Sequence, residues 1–266
     1  MTLAWTPDIV TSNLERGVHY TLLWGLEGVA LRTVGGAGDR VPDVNEAAIR
    51  RRLGETDLPV VAVDPGLFEG SWAVRAGWMN DTALLDDVAA FAARIGCPTV
   101  RVGALGGEGG AYDDEVVAGA LRRGADVAGE HGVRLAVRNE VGTGLETGAA
   151  LARLLTIADH PGLGADWRPA DVIPAGEDPA DGLHALLDAG VPITCVGVRD
   201  GQADGAGWAE TAPGEGIVGW GRQLAALGSA GFDGPLILDG LPTPPVQHGL
   251  SSATELVRLA RAATEG

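Results

Sequence analysis

Eight short apolar runs, rich in Val, Leu and Ile, alternate with eight helix-length stretches from one end of the chain to the other. The runs are Thr2–Trp5, Gly28–Arg32, Pro59–Asp64, Thr99–Gly103, Val133–Arg138, Leu163–Arg168, Ile193–Arg199 and Pro235–Asp239. Continuous apolar character is what parallel strands covered by helices require. Between them, helices are predicted over Ile9–Leu26, Val44–Glu55, Thr82–Ile95, Asp114–Glu130, Thr147–Ala158, Pro179–Asp188, Trp220–Ala230 and Ser251–Ala263. Asp43 and Asp81 precede two of these, and Asp178-Pro179 puts proline at a first helical position. Gly96, Gly132, Gly190 and Gly231 fall at helix-to-strand turns, where a left-handed cap suits glycine. Eight such units in 266 residues predict one domain over 1–266, a single (β/α)8 TIM barrel of the α/β class. A doubly wound open sheet needs fewer strands and normally a nucleotide fingerprint.

Composition narrows the function. With 45% hydrophobic residues the chain can bury a large core, yet its longest apolar runs are only strand-sized, so no membrane span is expected. The N-terminal MTLAWTPD has neither a basic nor an apolar leader region, and a cytoplasmic location follows as the expectation. Cys97 and Cys195 have no metal-ligand spacing and read as buried reduced thiols. A net charge of −17 argues against nucleic acid and acidic membranes as partners. All 19 basic residues are arginine. That excludes Schiff-base catalysis through lysine and the lysine of a phosphate-binding loop.

In a barrel the strands' C-terminal ends form the site, and side chains two apart share a face. By that parity Arg32, Arg101, Arg138, Arg168 and Arg199 point from five strands into one cup. Their expected counter-charges are Glu140, Asp166, Asp239 and Asp64. The segment LGADWRPAD also brings Asp166, Arg168 and Asp171 together. Two outcomes stay open at this point: arginines and carboxylates satisfying only one another, or arginines reaching a ligand. A planar guanidinium suits a carboxylate or phosphate, so a small anionic substrate is expected.

The stretches GLEGVALRTVGG, LPVVAVDPGLFEG, IGCPTVRVGA, VRLAVRNEVGTGLETG, WRPADVIPAGEDP, CVGVRDG and PGEGIVGWGRQLAALGSAGFDGPLILD carry a resemblance over nearly the whole chain. It resembles the sugar phosphate isomerase/epimerase family, the xylose-isomerase-like TIM barrels. The resemblance implies a divalent metal, often manganese, held by Glu, Asp, His and Glu from the last four strands. Two of those carboxylates would serve as acid and base in isomerisation or epimerisation. The chain departs from this pattern at every ligand. Arg138 stands in place of a glutamate, Arg168 of an aspartate and Gly197 of a histidine, while Asp239 is the one remaining carboxylate; Ala30 also falls where the family has glutamate. Two cations in place of two anionic ligands repel a divalent ion, so no metal and no other cofactor are expected.

Asp239, Glu140 and Asp166 are then the candidate catalytic acids and bases. Arg138, Arg168, Arg199, Arg101, Arg32 and Asp64 are the candidate substrate-binding residues. Trp72, Phe68 and Trp167 are added to them, although parity turns Trp167 outward. The loop with Phe68, Trp72, Trp78 and Met79 after the third strand reads either as helix–loop packing or as a lid over an apolar or ring-bearing substrate. The glycine-rich Val102–Tyr112 reads as a flexible loop after a strand, and Glu215 as a turn residue. Three functions are carried forward. The first is a metal-independent isomerase/epimerase-like enzyme, performing isomerisation, cyclisation or elimination in specialised metabolism. The second is a metal-dependent sugar isomerase with a rearranged site, and the third a silent barrel that binds a ligand or a partner. A homodimer is neither required nor excluded.

Overall fold

The computed structural model describes residues 1–35, 39–107, 112–204 and 207–265. Ten strands are found: β1 Thr2–Trp5, β2 Gly28–Leu31, β3 Val60–Val63, β4 Thr99–Val102, β5 Arg134–Arg138, β6 Leu163–Trp167, β7 Ile193–Val198, β8 Asp200–Asp204, β9 Gly207–Thr211 and β10 Pro235–Leu238. Eight of them close into a parallel barrel in the order β1-β10-β7-β6-β5-β4-β3-β2. This is the predicted (β/α)8 architecture. The other two, β8 and β9, pair antiparallel as a hairpin inserted after β7; no strand was expected there.

The helices are α1 Leu14–Leu23, α2 Glu46–Gly54, α3 Arg75–Arg94, α4 Asp114–Glu130, α5 Gly148–Ala158, α6 Pro179–Asp188, α7 Trp220–Ser229 and α8 Pro245–Glu265. Side chains of Asn13, Asn45, Asp113, Thr147 and Asp178 accept from backbone N–H groups of the first turns they precede, satisfying donors that a helix start leaves orphaned. Two expected caps are corrected. Asn45 rather than Asp43 caps α2. Asp81 lies inside α3, which starts at Arg75, and its carboxylate accepts instead from the Phe68 N–H at 2.9 Å. The glycines at 96, 132, 190 and 231 all have positive φ, as their turns require. Within the Val102–Tyr112 loop, residues 108–111 lie outside the described residues. No helix among the described residues is long and apolar enough to cross a membrane.

Two packing layers result. Trp5, Leu135, Val137, Trp167, Val196 and Leu238 belong to the large core between barrel and helices. The barrel's own interior is lined by small side chains, Ala4, Ala30, Ala62, Ala136 and Cys195, together with Val61 and Ile237. That choice of residues explains how the interior accommodates Arg101, a large charged side chain that is only 1% exposed. In the register Arg101 lies opposite Ala136, which lies opposite Gly164, so its neighbours on the same level leave room for the guanidinium. Cys97 and Cys195 are both buried free thiols. Burial pushes the Cys97 thiol up to about 12, which leaves it unreactive.

Candidate functional site

The strand ends carry two linked charge clusters. The deeper one centres on Arg101. Its Nε and Nη2 donate to Asp166 at 2.9 and 3.1 Å, and its Nη1 and Nη2 donate to Asp239 at 3.2 and 2.6 Å. Thr6, which shares the inward parity of Ala4, donates its hydroxyl to Asp239 as well. Arg168 enters from the end of β6: its Nε donates to Asp166 at 3.3 Å, and its Nη2 lies 3.9 Å from Asp239. The buried Asn139 bonds the backbone N–H and C=O of Arg168, each at 2.9 Å, fixing the end of β5 to the end of β6. The shallower cluster centres on Arg138, whose Nη1 donates to Asp64 at 3.1 Å and whose Nε donates to Glu140 at 3.2 Å, with Nη2 bonded to Glu69. Arg40 adds a second cation on Asp64 at 3.2 Å.

These pairings set the charge states. Burial alone would raise the carboxyl of Asp239, but Arg101 and Arg168 outweigh it and hold the group well below the usual range. Asp64 follows the same pattern, with Arg138 and Arg101 overcoming burial. Both are fixed anions and weak bases. Asp171 differs. It sits in the short turn Pro169–Ala175 after β6, accepts from Arg199 Nη1 at 3.1 Å through one oxygen, and makes no hydrogen bond with the other. Burial raises its pKa despite Arg168 and Arg199 nearby, with Asp166 and Asp239 adding to the rise.

The expected cup is therefore partly reassigned. Arg101, Arg138 and Arg168 meet in it with Asp64, Asp166, Asp239 and Glu140. Arg199 stands at its edge, held by Asp171 and by Glu210 of the β8–β9 hairpin, 3.0 Å from Nε and 2.5 Å from Nη2. Arg32 stands further out, locked to Asp8 at 2.9 and 2.7 Å. The three aromatic side chains assigned to the substrate are elsewhere. Phe68 is fully buried and its ring lies against Gly124 of α4. Trp167 points outward from β6 and donates its indole N–H to Gln223 of α7 at 2.9 Å. Trp72 lines a groove on the outer wall between α3 and α4. Sequence reasoning had also passed over Thr6, Arg40, Glu69 and Glu210. Strand parity reveals Thr6, whereas the other three come from loops and the hairpin, where no periodicity points the way.

A model of the xylose isomerase-like TIM barrel matches residues 20–256. The chain belongs to that family. Among curated relatives, this xylose isomerase-like barrel is similar to an inosose dehydratase of Lacticaseibacillus casei, 28% identical over 154 residues. The match spans 52% of this chain and 52% of that protein, about half the length of each. Among solved structures it is similar to a D-tagatose 3-epimerase-like protein, with TM-score 0.80 and 14% identity over 100% of this chain and 99% of the other. It is also similar to the probable 3-DHS dehydratase AsbF of Bacillus anthracis, with TM-score 0.79 and 15% identity over 97% and 99%. A third is the IOLI protein with a binding zinc atom, with TM-score 0.78 and 15% identity over 99% and 96%. At such identities the structural likeness concerns the fold.

The metal that the family resemblance implies does not fit these residues. Among the described residues no three His, Cys, Asp or Glu side chains are grouped to hold an ion. At the four expected ligand positions stand Arg138, Arg168, Gly197 and Asp239, and Asp239 is already clasped by two guanidiniums and a hydroxyl. Gly197 shows why no imidazole stands there. A Cβ at this position would lie 3.1 Å from Arg168 Cγ and 3.2 Å from Asp239 Oδ2, so the stem of Arg168 occupies the space a side chain would need.

Proposed function

We propose that the chain is a metal-independent enzyme of the isomerase, epimerase or dehydratase kind, acting on a small polyhydroxylated carbonyl compound. The observation that carries this reading is the uneven commitment of the cup's arginines. Arg101 and Arg138 use all three of their nitrogens in hydrogen bonds to carboxylates. Among the described residues, by contrast, the Arg168 guanidinium hydrogen-bonds through Nε alone, and its Nη2 pairs with Asp239 only at 3.9 Å, beyond hydrogen-bond reach. Its terminal N–H groups can therefore serve another acceptor. Its side chain is largely buried, in a setting where a fixed cation strongly favours developing negative charge.

In this reading a substrate carbonyl oxygen accepts from Arg168, and Asp171 removes the proton on the adjacent carbon. The electron pair of the broken C–H bond moves onto the carbonyl oxygen, where Arg168 stabilises the enolate. In isomerisation the proton of the adjacent hydroxyl passes to the former carbonyl oxygen, and Asp171 returns its own proton to the former carbonyl carbon. In epimerisation a water on the opposite face protonates the carbon that Asp171 deprotonated, and Asp171 gives its proton to solvent. Loss of a β-hydroxyl, which Asp171 protonates as it leaves, completes dehydration and releases water. The raised pKa of Asp171 suits both roles better than the strongly ionised Asp239 or Asp64.

The inosose dehydratase and 3-DHS dehydratase among the similar proteins support carbonyl-adjacent proton removal, and the epimerases are consistent with it. The test is a panel of inosose, 3-DHS, D-tagatose and L-ribulose assayed with and without EDTA. Turnover of at least one compound is expected to survive the chelator and to fall about 10²–10³-fold in Arg168→Ala. Turnover abolished by EDTA, or untouched by loss of Arg168, would sink the proposal.

A further inference from the structure

Most of the 19 arginines pair with a carboxylate, but Arg16, Arg51, Arg75, Arg122, Arg123 and Arg134 have no such pair among the described residues. Three of these line one groove of about 450 Å³ on the outer wall, between the N-terminal parts of α3 and α4. Arg122 bonds the carbonyls of Ile157 and Ala158 at 3.0 and 3.5 Å, and Arg123 bonds only a carbonyl of its own helix. Among the described residues the Arg75 side chain makes no hydrogen bond. The guanidinium carbons of Arg75 and Arg123 stand 5.9 and 5.7 Å from the centroid of the Trp78 indole. A cation–π placement of this kind holds a guanidinium near the ring and leaves its N–H groups available. The Trp78 N–H is itself buried without an acceptor. Trp72 adds a second indole to the lining, and Glu115 is the only acid among the described residues that line it.

We infer that this groove is a binding site for a small organic anion that carries a flat ring. Its volume falls in the range of small-molecule sites. Two indoles offer flat apolar surface. Three guanidiniums offer the forked donors that a carboxylate or phosphate takes in pairs. A positive groove on a chain of net charge −17 also concentrates an anion locally against the overall field.

The experiment follows the Trp78 indole N–H resonance in ¹H–¹⁵N spectra of the full chain, assigned with Trp78→Phe. The probes are benzoate, adenosine 5′-monophosphate, adenosine and inorganic phosphate. At least one of the two ring anions is expected to shift the resonance saturably, with half-saturation below about 1 mM. Adenosine and phosphate should each need at least about tenfold more, and so should the ring anion in Arg75→Ala/Arg123→Ala. Both replaced side chains lie at the surface, and unchanged dispersion of the remaining signals checks the fold. No saturable shift with either ring anion overturns the inference. So does equal affinity for phosphate or adenosine, or an unaltered response in the double variant. A Trp78 signal that follows protein concentration would make the groove a self-association surface and overturn it too.

Discussion

Asp239 and Asp64 are held ionised by guanidiniums that the barrel cannot remove without unfolding. Folding lowers both carboxyl pKa values below the ordinary 3.8, so in acid the unfolded chain binds more protons than the folded one. Their stabilising contribution is complete above that ordinary value and is lost as pH falls below it. Asp171 runs in the opposite sense: its pKa is raised, so protonation relieves a burial cost and offsets part of the loss. Asp239→Asn is expected to flatten the acid limb of stability between about pH 4 and 2. At pH 7 it should cost about 2–3 kcal/mol, because Arg101 keeps only Asp166. Urea unfolding across this pH range measures both. At this scale, strand parity located Arg101, Arg138, Arg168, Asp166 and Asp239 from the sequence, since a two-residue period fixes which face a side chain takes. Parity had also turned Trp167 outward, and its assignment to the substrate set that evidence aside. Phe68 was harder to read, because its φ of 58° lies in a turn with no period to follow.

Among the elements, all eight barrel strands were legible because each is a short run dominated by apolar residues, and several helices because a capping residue precedes them. Helix α3, predicted from Thr82, starts at Arg75 with no side-chain cap to mark it. The β8–β9 hairpin was not legible. Its sequence is dominated by Asp, Gly and Ala, with Trp208 and Thr211 its few strand-favouring residues, and it forms through backbone pairing from Asp200↔Thr211 to Asp204↔Gly207. Trp208 leans across Gly201, where a Cβ would come within 2.5 Å of its ring. Beyond the hairpin, the Asp200 carboxylate gathers the N–H groups of Gly201, Gly214, Gly216 and Val218 at 2.8–3.2 Å. The closed barrel does not include the hairpin, so replacing residues 202–209 by Asn-Gly, which fits a two-residue turn, should leave Gly201 opposite Glu210. Cooperative urea unfolding with a midpoint close to that of the parent chain is expected. A non-cooperative transition would show that the hairpin is integral to the fold.

Over the whole molecule, a barrel of small interior residues surrounds a lattice of arginines and carboxylates that satisfy one another. Among the described residues such a lattice groups no three donor side chains to hold a divalent cation. Manganese at millimolar concentration, followed by EDTA, should therefore move the melting temperature by less than about 1 °C, since only an ion bound to the folded state raises it. A reversible rise would contradict the donor assignment at Arg138, Arg168, Gly197 and Asp239. Those four positions also constrain how the chain can change. A histidine at 197 meets the stem of Arg168, while an aspartate at 168 leaves Asp166 and Asp239 to share Arg101 alone. A side chain at 197 is in direct contact with that at 168, so a double-mutant cycle of Gly197→His and Arg168→Asp is expected to give stability changes that do not add.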